Sequence, residues 1–183
     1  MSDYGVVTAP RTVRIERLLP GPIERVWSYL TESDKRARWL AAGDMDLQVG
    51  GPVEHVFRNS ELTENDEPPP PKYAQHACGS RMQGQITACT PPTLLSYLWG
   101  GGAGEPSEVR FELTSRADGV LLVVTHSRLA AYDAMISVAA GWHAHLDILA
   151  ARLRDQVPAG FWATHTRLET DYRQRIPADA APV

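Results

Sequence analysis

The sequence has no run of 18 apolar residues, about the minimum for a membrane-crossing helix, so no membrane insertion is expected. Cysteine is scarce: Cys78 and Cys89 are too few for a disulfide framework. CxxC and HExxH are absent, and with them the usual signs of a metal centre, so neither a metal nor any other cofactor is expected. GxSxG is absent too, and Ser127, Cys78 and Cys89 stand in no context that marks an activated nucleophile. The 18 Lys and Arg are scattered with no basic block, and the net charge is −4, which argues against a nucleic-acid partner. The opening segment "MSDYGVVTAPRTVRIERL" has an early acid and lacks the apolar core of a signal peptide. A cytoplasmic location is therefore the expectation.

What remains is an ordinary globular composition, 43% hydrophobic and 22% charged, in a 183-residue chain that suits one domain. After a tail over residues 1–11, "TVRIERLL" alternates as a half-buried strand with Val13 and Ile15 inward. In "PGPIERVWSYLTES", Pro22 suits a first helical turn. Ile23, Val26, Trp27 and Leu30 then follow at amphipathic spacing. Ser33 can cap a second short helix, "DKRARWL".

Strand patterns come next. Gly50-Gly51 sits between two alternating runs in "DMDLQVGGPVEHVFRN", a hairpin signal. A second pair flanks Pro91-Pro92. In the third, Val109, Phe111 and Leu113 alternate before the turn Ala117-Asp118-Gly119, and "VLLVVTHSR" returns. Residues 60–77 interrupt this rhythm. They are acidic, then proline-rich, with four prolines in a row that cannot occupy a central strand. They read as a surface loop, and their length keeps open a lid or docking segment.

A long helical pattern follows from about 133 to 157. Met135, Val138, Trp142, Leu146, Leu149 and Leu153 form one stripe, and Pro158 ends it. Residues 158–183 form an extension. Phe161, His165, Leu168, Tyr172 and Ile176 keep helical spacing, so this segment packs on the domain or on a partner chain, and the last residues fray. The fold class is α+β: a curved antiparallel sheet of six to seven strands around a long C-terminal helix, with two short helices after the first strand. Such a sheet often leaves a cavity against the helix.

Taken in order, "PGPIERVWSYLTESDKRARWL", "VGG", "TACTPPTLLSYLWG", "SEVRFELTSRADGVLLVVTHSRL" and "GWHAHLDILAARL" resemble the SRPBCC (START-like, helix-grip) superfamily. They are most similar to the family of the activator of Hsp90 ATPase homologue. The resemblance spans residues 12–157 and implies a sheet gripping the C-terminal helix over a hydrophobic cavity. Relatives of this kind include lipid carriers, polyketide cyclases, hormone receptors and co-chaperones, so function has to be argued from the site.

Two histidines share the long helix. His143 and His145, two residues apart, point about 160° away from each other and cannot ligate one ion. His143 is expected in a surface contact with Asp147, one turn on. His145 lies near the edge of the stripe, either as a hydrogen-bonded core-edge residue or as a polar anchor for a ligand. His126 shares a strand face with Val120, Leu122 and Val124, and strand parity decides whether it enters the pocket. Tyr97 and Trp99 are candidates to share the cavity and Trp39 to cover its opening. Phe57, Met82 and Phe111 join the ligand-binding set, as do Trp142 and Leu149 from the gripped face. Gly141 costs its helix about 1 kcal/mol relative to Ala, which a close backbone approach would explain.

Three functions follow from this reading. The first is a binding protein holding a small hydrophobic or aromatic ligand. The second is a polyketide cyclase-like enzyme with His126 or His145 as acid or base. The third is an interaction module with an Hsp90-type chaperone or a second copy of the chain as partner, docking through residues 60–77 or the terminal helix.

Overall fold

The computed structural model describes residues 4–64, 66–100 and 104–180. Seven strands form one antiparallel sheet: β1 (Val6–Ala9), β2 (Thr12–Leu19), β3 (Pro52–Phe57), β4 (Ser80–Thr90), β5 (Leu94–Trp99), β6 (Ser107–Arg116) and β7 (Gly119–Ser127). Their spatial order is β1-β2-β7-β6-β5-β4-β3. Two short helices, α1 (Ile23–Thr31) and α2 (Ser33–Arg36), follow β2, and the long helix α3 (Tyr132–Leu153) and α4 (Phe161–Arg175) close the chain. This is the curved antiparallel sheet around a long helix that the sequence pattern predicts.

Alternation decides which face each strand buries. On β7, Val120, Leu122, Val124 and His126 are all buried while their neighbours are partly exposed. Register carries that face across the sheet: His126 lies opposite Val13 on β2 and Val109 on β6, and Val124 opposite Ile15 and Phe111. The parity of His126 is thereby fixed on the concave side.

Four features differ from the sequence reading. The segment expected as a tail contains β1, an edge strand paired with β2, and Gly5 donates its N–H to the Tyr172 hydroxyl at 2.8 Å. The run before Gly50 is not a strand: Ala42 and Met45 make only isolated bridges, to Val56 and Val53. Gly51 explains why a side chain is excluded from that turn, since a Cβ there would lie 2.2 Å from the Asp46 carbonyl oxygen. The third difference is in α3, which ends at Leu153 and is buried on nearly all sides rather than along one stripe. The sheet covers one flank and α4 the other, and a helix so enclosed is apolar all round. The fourth is α2, which stops at Arg36. Arg36 is wholly buried and donates to the carbonyls of Thr31 (3.0 Å), Glu54 (3.4 Å) and Gly43. It thereby ties the end of α1 to the β3 region, and burial lowers its pKa.

The terminal segment packs on its own domain. Phe161, His165, Leu168, Tyr172 and Ile176, spaced to share one face, are all buried. Residues 59–64 and 66–79 form a strap with two 3-10 turns, Asn59–Glu61 and Pro71–His76, laid across α3 and α4. Its acidic and proline-rich parts have separate fastenings. The Asp66 carboxylate accepts the N–H groups of Trp162 (2.8 Å) and Ala163 (3.3 Å), and Thr63 Oγ1 accepts that of Phe161 (3.1 Å). Three orphan donors at the start of α4 are thus satisfied from a distant loop. Further along, Tyr73 Oη donates to Glu169 (2.5 Å) and lies 2.7 Å from Ser137 Oγ, while Lys72 pairs with the same Glu169 (2.7 Å).

Candidate functional site

The sheet, α3, α4 and the strap border a half-open cavity of about 280 Å³. The sheet contributes Phe57 from the end of β3, Ser80 from β4, Trp99 from the end of β5 and His126 from β7. From α3 come Ser137, Val138, Gly141, Trp142 and His145. The start of α4 supplies Phe161 and Trp162, the segment after α2 Leu40, and the strap Asn59 and His76. Aromatic rings make most of the wall. Trp99 and Trp142 stand 5.2 Å apart, Phe57 and Trp99 5.8 Å, and Phe161 and Trp162 4.9 Å between ring centroids.

His126 is locked in one state. An indole N–H can only donate, so Trp142 Nε1, 2.9 Å from His126 Nδ1, makes that nitrogen an acceptor. The ring proton then sits on Nε2 and is donated to Ser107 Oγ at 2.7 Å, and that hydroxyl donates onward to the Trp99 carbonyl at 3.3 Å. Burial pushes the His126 pKa down to about 3. With both nitrogens committed, His126 has no free position from which to move a proton.

His145 is held by one nitrogen. A carbonyl can only accept, so Nδ1–H donates to the Trp39 carbonyl at 2.7 Å, leaving Nε2 as the unprotonated nitrogen. Burial pulls its pKa down to about 4. The ring packs 4.6 Å from Phe161, and no other hydrogen bond forms among the described residues. His143 points elsewhere. It is buried rather than at the surface, with Nδ1 3.0 Å from the Tyr172 hydroxyl and Nε2 3.5 Å from Asp147. Asp147 also receives Arg17 from β2 at 3.0 Å.

Of the residues expected at the ligand, Phe57, Trp99, His126, Trp142 and His145 line the cavity. The others do not. Trp39 is wholly buried, donates Nε1–H to the Tyr29 carbonyl at 2.8 Å and covers no opening. Tyr97 lies one layer deeper, with its hydroxyl 3.2 Å from His55 Nε2. Phe111 supports Trp142 from behind, edge to face at 5.4 Å. Leu149 is core, beyond the reach of the cavity. Met82 lines a separate surface depression with Glu54 and Arg81. The reading of Gly141 as a backbone-approach site fails as well. A Cβ there would meet only His165 Nε2, at 4.0 Å, so its missing side chain opens the cavity wall instead.

Sequence reasoning missed Phe161, Trp162, Asn59 and His76. The adjacent Phe-Trp pair at a helix start was an available signal, because one helix turn cannot bury both rings against a single neighbour.

No helix among the described residues is long and apolar enough to cross a membrane. The model of the family described as activator of Hsp90 ATPase homolog 1-like protein matches residues 20–154. No curated protein matches the chain. Among solved structures, a Bordetella parapertussis protein determined by solution NMR is 47% identical with a TM-score of 0.79, over 96% of this chain and 91% of that one. CalU16 from Micromonospora echinospora is 22% identical with a TM-score of 0.65, over 89% and 86% of the two chains. A Mesorhizobium loti protein is 24% identical with a TM-score of 0.61, over 79% and 97%. The last two likenesses concern the fold alone. With the family model matched over most of the domain and the helix-grip architecture seen directly, the chain belongs to the activator of Hsp90 ATPase homolog 1-like family.

Proposed function

We propose that this protein binds a small hydrophobic or aromatic molecule in the cavity between the sheet, α3 and α4. The observation that carries the reading is the cavity itself, about 280 Å³ walled by Phe57, Trp99, Trp142, Phe161 and Trp162. An engineered cavity of roughly 150 Å³ accepts benzene, so this volume suits a molecule of about two fused rings. Apolar walls with a few polar groups are the usual make-up of small-molecule sites. The lid reading of the strap belongs to this proposal. Its residues Asn59 and His76 line the cavity, and its latches to Glu169 and to the start of α4 hold it there.

Native mass spectrometry of the protein purified from its own host tests the proposal. A stoichiometric small molecule released on denaturation supports it. Apo protein from the host, together with no binding of any aromatic compound at millimolar concentration, would overturn it.

A further inference from the structure

Building on the cavity reading, we infer that the ligand is an uncharged aromatic molecule carrying an O–H or N–H donor, a phenol or an N–H heterocycle, with His145 Nε2 as the specificity-determining acceptor. Three observations support this. The first is charge: among the described residues that line the cavity there is no Lys, Arg, Asp or Glu. A carboxylate or ammonium entering it would lose part of its hydration and find no counter-charge, which is unfavourable.

The second is the fixed role of His145. Because Nδ1–H is held by the Trp39 carbonyl, the ring turns an acceptor, not a donor, to its remaining contacts. His145 lines the cavity, and its Nε2 makes no hydrogen bond among the described residues. The third is the balance of donors and acceptors. Two of the three indole donors at the wall are already used, Trp142 N–H on His126 and Trp162 N–H on Ser60 Oγ at 3.0 Å. His145 Nε2, on a cavity-lining residue, is an acceptor with no partner among the described residues. An unpaired buried acceptor is costly, and a ligand donor would relieve it.

Calorimetric titration with four probes separates the outcomes: indole and 2-naphthol carry a donor, benzothiophene has nearly the shape of indole without one, and 2-naphthoate is an anion. Indole and 2-naphthol are expected to bind about tenfold more tightly than benzothiophene, the effect of one hydrogen bond, and 2-naphthoate most weakly. His145→Phe should abolish the preference for indole over benzothiophene while keeping aromatic binding. In the unsubstituted protein the nitrogen NMR signal of His145 Nε2 should shift on binding indole or 2-naphthol and not on binding benzothiophene, which keeps the test decisive if the variant does not fold. Benzothiophene binding as tightly as indole, or 2-naphthoate binding best, would overturn this inference and leave the cavity reading standing. Failure of all four probes would overturn both.

Discussion

Trp142 donates its indole N–H to Nδ1 of His126 across 2.9 Å, joining the gripped helix to β7, an inner strand of the sheet. That bond turns a residue with the look of a general base into a structural acceptor. It also orients Trp142, so that one face of the cavity is set by a hydrogen bond as well as by packing. Trp142→Phe keeps most of the ring but leaves His126 Nδ1 buried and unpaired, which costs about 1–3 kcal/mol. Urea unfolding checks this. A loss below the error of the measurement would mean that the bond does not anchor the helix.

The buried histidines make stability depend on pH in a defined direction. His55 and His126 have pKa values pushed down to about 3 and His145 to about 4, burial being the largest cause in each. All three lie below the ordinary histidine value near 6.5. Above that value both folded and unfolded states hold neutral rings, and stability does not change on their account. As pH falls below it, the unfolded chain takes up protons that the folded state refuses. Each histidine then withdraws about 1.4 kcal/mol per pH unit, until its folded pKa is reached. Thermal unfolding should show a level Tm from pH 8 to 7 and a steep decline from about 6.5 to 4. A Tm that stays level to pH 4.5 would contradict this burial.

The strap is fastened at two points that can be cut separately. Asp66→Ala removes the carboxylate that caps α4 and should cost about 1 kcal/mol. Gly160→Ala should strain the same junction from the other side, because its Cβ would lie 2.5 Å from Asp66 Oδ1. Tyr73→Phe removes the contacts with Glu169 and Ser137. Hydrogen exchange should quicken over residues 59–79 in both Asp66→Ala and Tyr73→Phe, with the sheet unchanged. Unaltered exchange in the strap would show that these bonds do not hold it down.

Much of the fold could be read from the sequence, because alternation and helical spacing record which face of an element is buried. Val109, Phe111 and Leu113 marked β6 in this way, and Phe161, His165, Leu168, Tyr172 and Ile176 marked the inward face of α4. Periodicity does not record what lies opposite a buried face. Tyr97 and Trp99 share one side of β5, yet Trp99 reaches the cavity while Tyr97 is covered by His55 and Phe111. Trp142 and Leu149 share a helix stripe and part company for the same reason. The strap was harder still. Its contacts to α4 join residues about 100 positions apart, such as Tyr73 with Glu169, and no local pattern encodes them.

Gly141 separates stability from binding. It lines the cavity within a helix, and the nearest atom to a built Cβ is 4.0 Å away. Gly141→Ala should therefore raise stability by up to about 1 kcal/mol, the helix-propensity difference. Gly141→Leu should fill part of the cavity and weaken aromatic ligands at least tenfold. Parallel melting and titration of the two variants test this. Equal affinity in Gly141→Leu and the unsubstituted protein would place the ligand elsewhere.

The five tryptophans report directly on whether a ligand binds in the aromatic cavity. Each indole N–H gives its own nitrogen–proton NMR signal. Trp99, Trp142 and Trp162 line the cavity, whereas Trp27 and Trp39 do not. Titration with indole or 2-naphthol should give large saturable shifts in the first three signals and little change in the other two. Shifts confined to Trp27 and Trp39, or no saturable shift in Trp99, Trp142 and Trp162, would contradict it.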